Sequence, residues 1–292
     1  MGESDPKAVA LIGPGRIGQA MGRLLADAGV PIQWIAARRP AAARSAARFV
    51  RAGLAVTLRS PELGRARVLL LTTSDEALPE VARSLAAQRA DWKGCVVLHS
   101  SGAWPAGSES SVLQPFRRRG ASAASLHPLQ TVPNREAGVR NLVGCFWAVE
   151  GDPIAVRLAR RWVRALRGIA FSLPPQRKAT YHAAAVVACA GVVTLMTGAE
   201  RLMESCGVPQ AQARKMLAGF VAETAGNFAR LGRGALTGPA ARGDWATIRR
   251  HREALGRQAP DLLPLYRELL RSMVQIAGRP PRPTPAPDKA RG

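Results

Sequence analysis

The chain has 292 residues, enough for one large domain or two ordinary ones with a sizeable core. Its formal net charge of +22 raises the question of nucleic-acid binding. The arginines are scattered singly, aromatic residues make up 5% of the chain, and no nucleic-acid-binding motif is present. We therefore expect no nucleic-acid partner.

The cysteines and the apolar runs indicate the compartment. Cys95, Cys145, Cys189 and Cys206 show neither paired metal-ligand spacing nor the density of a disulfide framework, which favours a reducing environment. The beginning of the sequence has no secretion-type apolar segment, and no apolar run reaches membrane-spanning length by inspection. The sequence predicts a soluble cytoplasmic protein without a membrane partner.

Residues 7–29 carry the strongest pattern in the chain. A short apolar run at 8–12 predicts a buried strand, and a helical pattern follows with Met21 and Leu25 on one face. Between them lies a GxGxxG turn, formed by Gly13, Pro14, Gly15, Arg16, Ile17 and Gly18. In this context the first glycine permits the tight turn, the second lets a pyrophosphate approach, and the third lets the helix pack on its strand. The helix N-terminus would face the phosphates, so the pattern predicts a dinucleotide-binding turn.

The end of the second predicted strand, residues 32–36, indicates which dinucleotide binds. A domain for NAD usually places an acidic residue here against the ribose 2′-hydroxyl. This chain has Arg38 and Arg39 instead. A guanidinium can hold a 2′-phosphate with two hydrogen bonds, so NADP(H) is the predicted cofactor, with Arg38 favoured over Arg39. The alternative, two solvated arginines, stays open.

Strand and helix signals then alternate as far as residue 174. Strands are predicted at 54–58, 66–71, 95–99, 145–149 and 169–173, and helices at 41–52, 76–88 and 154–166. This order predicts an α/β fold with a doubly wound, Rossmann-type parallel sheet, whose ligands bind beyond the carboxyl ends of the strands. Thr73, Ser100 and Ser101 follow two such ends and are predicted to contact the cofactor, although turn chemistry alone could explain them.

The remainder of the chain is predicted to be helical. Strand signals vanish after Pro174 and Pro175, and helices are predicted at 181–206, 210–230, 245–257 and 262–277. The first of these is so apolar that we predict a buried core helix. The predicted domains are thus 1–174 for NADP binding, an all-α C-terminal domain at 175–278 for substrate and dimerisation, and a disordered proline-rich tail at 279–292.

Five blocks give the chain a family resemblance. They are GPGRIGQA at 13–20, HSSGA at 99–103, SLHPLQT at 125–131, KATYHAAA at 178–185 and LTGPAARGDWATIRRH at 236–251. The chain resembles bacterial Rossmann-like proteins with a DUF2520 domain, distant relatives of ketopantoate reductase, pyrroline-5-carboxylate reductase and the 6-phosphogluconate and 3-hydroxyacid dehydrogenases. The resemblance implies an NADP-dependent oxidoreductase with a helical second domain, and it implies no substrate.

One departure from the family pattern stands out. Family members usually carry Ser-Asn some way along the helix after KATYHAAA, where this chain has Cys189 and Ala190. The resemblance therefore implies either a different substrate or reduced activity.

Hydride transfer to a carbonyl or an imine requires a group that stabilises or protonates the heteroatom. Lys178 and His182 are four residues apart on one predicted helix face, with Tyr181 alongside. Lys178 could stabilise a developing alkoxide, and His182 or His127 could deliver a proton. A solvated lysine and a core histidine are the alternatives. No cluster of histidine and carboxylate residues suggests a metal.

A predicted loop between helices contributes the substrate candidates. Arg242 could clamp a carboxylate, Thr237 could add a hydroxyl, and Asn227 one helix earlier could orient the substrate. A structural explanation of this loop is equally good, since Asp244 is suited to cap the following helix.

Three functions are compatible with these residues. The leading one is an NADPH-dependent reductase of a small, ketopantoate-like 2-oxo acid. The alternatives are an imine reductase of the pyrroline-5-carboxylate type, which would depend less on Lys178, and a catalytically silent NADP-binding regulatory protein. We also expect a homodimer, because related folds often dimerise through the helical domain.

Overall fold

A computed structural model of the protein describes residues 8–278. The strands are β1 Val9–Ile12, β2 Ile32–Ala37, β3 Leu54–Thr57, β4 Val68–Leu71, β5 Val96–His99, β6 Ser122–Pro128, β7 Phe146–Gly151 and β8 Ile169–Ser172. The helices of the sheet region are α1 Arg16–Asp27, α2 Pro40–Val50, α3 Leu78–Ala86, α4 Gln114–Arg117, α5 Arg135–Asn141, α6 Pro153–Ala165 and α7 Lys178–Val186. The later helices are α8 Val192–Ser205, α9 Gln210–Leu231, α10 Pro239–Arg242, α11 Trp245–Gln258 and α12 Leu263–Ile276.

The strands form one sheet in the order β3-β2-β1-β4-β5-β6-β7-β8. All neighbouring pairs are parallel except β6 and β7, which are antiparallel. The predicted doubly wound α/β fold with a helical C-terminal region is confirmed, apart from this reversal. A parallel crossover needs a connection that packs across the sheet, whereas the segment before β7 contains only the short α5, which packs against α1.

The sheet is buried on both faces, because side chains alternate along each strand. Val9 and Leu11 of β1 point into one apolar layer, and Ala10 and Ile12 point into the other. The short, continuously apolar strands of the sequence are typical of a parallel sheet covered by helices on two sides. This arrangement places the carboxyl ends of β1, β2, β4 and β5 along one edge.

By internal packing the chain divides into two units, one ending at Cys189 and the other beginning at Ala190. The division falls within a π-helical segment, Val187–Gly191, that separates α7 from α8. The domain boundary predicted at residues 174–175 stays a prediction. The predicted disordered tail at 279–292 lies outside the described residues.

The long apolar helix is not the buried core helix that the sequence predicted. Residues Pro175–Ser205 have a mean hydropathy of 1.7 over their most apolar window, of which only 6% is buried. Val187 and Val193 are 72% and 62% exposed. The expectation that no apolar run reaches membrane-spanning length is therefore wrong, because this helix is long and apolar enough to cross a membrane. One such helix is weak evidence for a membrane span. Apolar composition predicted burial, but no packed neighbour covers this surface within the described chain.

Candidate functional site

The glycine turn after β1 shows why three glycines are needed there. Gly13 has a φ of +72°, and a Cβ on it would overlap the Thr73 side chain. A Cβ on Gly18 would overlap the hydroxyl of Thr72, which donates hydrogen bonds to the carbonyls of Ile12 and Gly13. Tight packing between α1 and the end of β4 therefore excludes side chains at both positions.

Gly15 has a different environment from the other two glycines. A Cβ there would have no neighbour nearer than the Gly13 carbonyl oxygen, at 4.0 Å, so the space beside the turn is open. The first intrahelical bond of α1 runs from the Gln19 amide to the Gly15 carbonyl, at 2.9 Å. The amides of Arg16, Ile17 and Gly18 therefore have no intrahelical acceptor, which is the usual basis of phosphate binding at a helix N-terminus.

A cleft of about 280 Å³ adjoins this turn. Of the predicted cofactor residues, those lining it are Gly13, Pro14, Gly15, Arg38, Arg39 and Thr73. Both arginines are exposed and follow the end of β2, and the buried Thr73 hydroxyl has no hydrogen-bond partner within the described residues. A cleft with two exposed guanidiniums, open helix amides and a hydroxyl that has no partner among the described residues fits a phosphorylated nucleotide.

The other predicted cofactor residues lie outside the lining of this cleft. The exposed Arg16 guanidinium donates to the Pro133 carbonyl at 3.1 Å, and Ile17 packs against the apolar core. The Ser101 hydroxyl accepts the amides of Ala103 and Trp104, at 3.1 and 3.0 Å, which is turn chemistry. Ser100 is buried beside it. Cofactor contact by these side chains stays a prediction.

A second group of polar residues crosses the sheet at β5, β6 and β7. Strand register places His99 opposite Ser125, and Ser125 opposite Glu150, so the three side chains form a row on one face. All three are buried, with Glu150 4% exposed. Lys178, the first residue of α7, lies over this row and is 1% exposed. These four residues are called the Lys178 cluster below.

The Lys178 ammonium is buried and has two side-chain partners. It donates a short hydrogen bond to the Ser125 hydroxyl and lies 3.8 Å from Glu150 Oε1. Burial lowers the pKa of Lys178 to about 8, while the charge and hydrogen bonding of Glu150, and the charge of Asp75, act in the opposite direction. The sequence predicted Lys178 on one helix face with His182, either near a substrate oxygen or solvated; the structure shows its ammonium closed off from solvent.

His127, Tyr181 and His182 lie next to the cluster. His127 Nδ1 and the Tyr181 hydroxyl are 2.8 Å apart, and the His182 ring lies nearly perpendicular to that of His127, with centroids 5.8 Å apart. All three are partly accessible. Gly102 packs against both histidines, because a Cβ there would lie 2.7 Å from His127 Nε2 and 2.5 Å from His182 Cδ2. The structure thus brings together all three predicted catalytic residues.

Burial determines the protonation of these groups. Desolvation, followed by the positive charges of Lys178 and His182, lowers the pKa of His127 to about 3. Desolvation and Lys178 likewise lower the pKa of His99 to about 3. Desolvation raises the pKa of Tyr181 to about 12. At neutral pH, His127 is therefore an uncharged imidazole beside an uncharged phenol.

The predicted substrate residues all belong to the second unit. Asn227 lies on α9 and accepts from Arg230 at 2.5 Å, Thr237 precedes α10, and the exposed Arg242 ends α10. Asp244 caps α11 by accepting the Thr247 amide at 3.1 Å, so the structural role expected of this aspartate is confirmed. Contact of Asn227, Thr237 and Arg242 with substrate stays a prediction.

Sequence reasoning missed Ser125 and Glu150. Ser125 begins the SLHPLQT block, so its position within a matched motif was a usable signal. Glu150 had none, because its proximity to Lys178 depends on the antiparallel pairing of β7 with β6. Within residues 8–278, no group of three or more His, Cys, Asp or Glu residues could hold a metal ion.

Two family models match the chain in succession. The model of a Rossmann-like domain matches residues 4–128, and the model of DUF2520, a domain of unknown function, matches residues 145–273. The chain therefore combines a Rossmann-like domain with a DUF2520 domain, which confirms the family resemblance. No curated protein matches the sequence.

Solved structures share the fold along nearly the whole chain. A provisionally named NADP oxidoreductase from Bacteroides fragilis is 20% identical, with a TM-score of 0.73, covering 92% of this chain and 98% of its own. A reductive aminase from Aspergillus terreus, in complex with NADPH and ethyl levulinate, is 17% identical with a TM-score of 0.66, covering 94% and 98%. A pyrroline-5-carboxylate reductase from Coxiella burnetii is 13% identical with a TM-score of 0.57, again covering 94% and 98%. At these identities the similarity shows the fold alone.

Proposed function

We propose that the protein is an NADP-dependent reductase whose preferred substrate is a small imine. The observation that carries this proposal is the burial of Lys178, which is 1% exposed and bound to Ser125 and Glu150. An ammonium enclosed in this way does not touch a substrate oxygen, so the site has no obvious group to stabilise an alkoxide. A protonated imine needs no such group, since hydride addition to it forms a neutral amine.

The cleft beside the glycine turn would hold the cofactor, whose reduced form supplies the hydride. Arg38 and Arg39 bind the 2′-phosphate, and the amides of Arg16, Ile17 and Gly18 bind the diphosphate. The Thr73 hydroxyl, which lacks a partner within the described residues, gains one from the nucleotide. The resemblance to the reductive aminase and the pyrroline-5-carboxylate reductase supports this assignment at the level of reaction class.

Tyr181 and His127 orient the substrate in this proposal. Which group donates in the His127–Tyr181 hydrogen bond depends on the histidine tautomer. The proposal assigns the donor role to His127 Nδ1, which leaves the phenol hydrogen free to bond to the substrate. A phenol with a pKa of about 12 is a weak source of a whole proton but a good hydrogen-bond donor. This favours a substrate that arrives already protonated.

A 2-oxo acid is the second candidate substrate. It is the class that the sequence predicts, and the Tyr181 hydroxyl, 2.8 Å from His127 Nδ1, is a polar group of the site that could reach its carbonyl. Its carbonyl would require a full proton in addition to the hydride, and Tyr181 would have to supply it.

The test is the oxidation of NADPH by the purified protein with matched cyclic imines and 2-oxo acids. We expect turnover with an imine to exceed that with the 2-oxo acid of the same carbon skeleton. Faster turnover of 2-oxo acids would reverse the ranking, and tight NADPH binding without turnover of either class would favour a silent NADP-binding protein.

We also propose that the protein is a homodimer that covers the apolar surface of the second unit. Val193 on α8 and Phe220 and Phe228 on α9 are 62%, 71% and 65% exposed. Surface of this kind is usually covered by a partner. Light scattering should give twice the mass of one chain, and Phe220→Glu together with Phe228→Glu should lower it; a wild-type monomer would contradict the assembly.

A further inference from the structure

Glu150 is the only acidic side chain in the row across β5, β6 and β7. Its two oxygens accept the backbone amides of Ala106 and Gly107, each at 2.8 Å. Its Oε1 atom also lies 3.8 Å from the Lys178 ammonium. One buried carboxylate therefore contacts both the loop that follows β5 and the first residue of α7.

That loop and α7 both carry groups of the candidate site. The loop contains Gly102, whose backbone lies against the rings of His127 and His182. Helix α7 contains Tyr181 and His182 as well as Lys178. Gly107 has little room to shift, because a Cβ on it would lie 3.1 Å from Glu150 Oε2 and 3.2 Å from Pro175 Cγ. The distance between loop and helix is thus determined at Glu150.

The carboxylate also balances the buried charge of Lys178. The titratable groups around that ammonium are Glu150, His99 and His127 from the sheet and Asp75 from the loop after β4. Burial, followed by the lysine charge, lowers the pKa of both histidines, which therefore remain neutral. Glu150 is therefore the one anion in contact with Lys178 within the described chain, and an unpaired buried charge is strongly unfavourable.

We propose that Glu150 is a positioning residue of the reductase site, which holds Lys178 charged and fixes the 100–107 loop against α7 without touching the substrate. The proposal rests on the proposed function for its kinetic consequence. Its structural part concerns Lys178 alone and can be tested whether or not a substrate is known.

The first measurement is a lysine titration followed by NMR. The chain has five lysines, Lys7, Lys93, Lys178, Lys215 and Lys289, so ¹³Cε-lysine labelling gives a simple spectrum, and Lys178→Met assigns the buried residue. We expect Glu150→Gln to lower the titration midpoint of Lys178 by at least about one pH unit, and Glu150→Asp to restore most of the difference. The exposed Glu109→Gln in the next turn is the matched control. An unchanged midpoint in Glu150→Gln would overturn the proposal.

The second measurement is kinetic, on the best substrate from the panel. We expect Glu150→Gln to lower kcat about 10-fold or more and to shift its pH profile, while the Kd for NADPH stays within about twofold of wild type. Wild-type kcat with a wild-type pH profile would contradict the positioning role. If the wild type reduces no substrate, the proposed function fails, while the NMR titration still decides the link between Glu150 and Lys178.

A double variant covers the case in which Glu150→Gln does not fold. Removing both charges, as Lys178→Met with Glu150→Gln, should give a higher Tm than either single substitution, because each single one leaves a buried charge without its partner. Additive losses of stability would mean that the two side chains are not coupled, which would also overturn the proposal.

Discussion

The cofactor cleft and the Lys178 cluster occupy the same unit and are built in opposite ways. The cleft is lined by the glycine turn and by exposed arginines, with an open space beside Gly15. The cluster is made of side chains from three strands and a helix, all of them buried. Under the proposed function the cleft binds a highly charged ligand, whereas the cluster encloses its own charge and keeps the neighbouring histidines neutral. We therefore expect that affinity for cofactor and control of proton chemistry can be changed separately.

Removing the lysine should have the largest effect, and that effect should be confined to the Lys178 cluster. We expect Lys178→Met to reduce the free energy of unfolding by about 3–5 kcal/mol, because Glu150 is left as a buried unpaired charge. It should also lower kcat about 100-fold, because Tyr181 and His182 on the same helix lose their exact positions. The Kd for NADPH should stay within about threefold of wild type. Steady-state kinetics, urea unfolding and NADPH titration measure the three quantities, with the exposed Lys93→Met as control. Loss of NADPH binding in a folded Lys178→Met would show that the two sites are not independent.

The Tyr181 hydroxyl distinguishes the two substrate classes. Tyr181→Phe should lower kcat/KM about 100-fold or more for a 2-oxo acid, which needs a full proton. It should cost only about 10-fold for a cyclic imine, which loses one hydrogen bond of about 1.5 kcal/mol. Equal losses for both classes would mean that Tyr181 supplies the same step to each.

Substituting the predicted ligand of the 2′-phosphate, Arg38, should change cofactor affinity alone. Arg38→Asp should weaken NADPH binding by one to two orders of magnitude, about 1.5–3 kcal/mol for a lost charge-assisted pair, with little change for NADH. Arg39→Asp should have a smaller effect, and the exposed Arg44→Asp on α2 serves as the control for charge. Fluorescence titration gives the affinities, and an unchanged NADPH affinity in Arg38→Asp would exclude this residue as the phosphate ligand.

Because His99 and His127 are neutral in the folded protein, the free energy of unfolding should fall in acid. His99 and His127 have pKa values of about 3 in the folded protein against an ordinary value of 6.5, so the unfolded chain binds more protons between these limits. The free energy of unfolding should therefore fall as pH drops from 6.5 towards 3, by up to about 1.4 kcal/mol per pH unit for each histidine. Urea unfolding at several pH values should show a smaller slope for His99→Asn than for wild type, with the exposed His251→Asn as control. An identical slope for His99→Asn and wild type would contradict the burial effect.

The sequence was most informative where function depends on local backbone. The strand, glycine turn and helix at residues 7–29 were predicted because each glycine position has its own steric reason, and Arg38 follows directly from the end of β2. The sequence was least informative about which apolar surfaces are covered by other parts of the chain. The apolar stretch after residue 180 predicted a buried helix, yet Val187 and Val193 are largely exposed. Apolar composition shows that a surface favours a partner, but not whether the same chain provides it.

The sequence by itself determined the α/β class, the order of the strands and helices, and the residues of the cofactor turn, since these follow from local periodicity and glycine geometry. Only the tertiary structure decided that Lys178 is buried against Ser125 and Glu150. Those residues are far apart in the chain, and they meet because β7 pairs antiparallel with β6 while α7 begins over the same strands. The register of a strand pair and the burial of a charge are properties of the packed sheet, which no short stretch of sequence encodes.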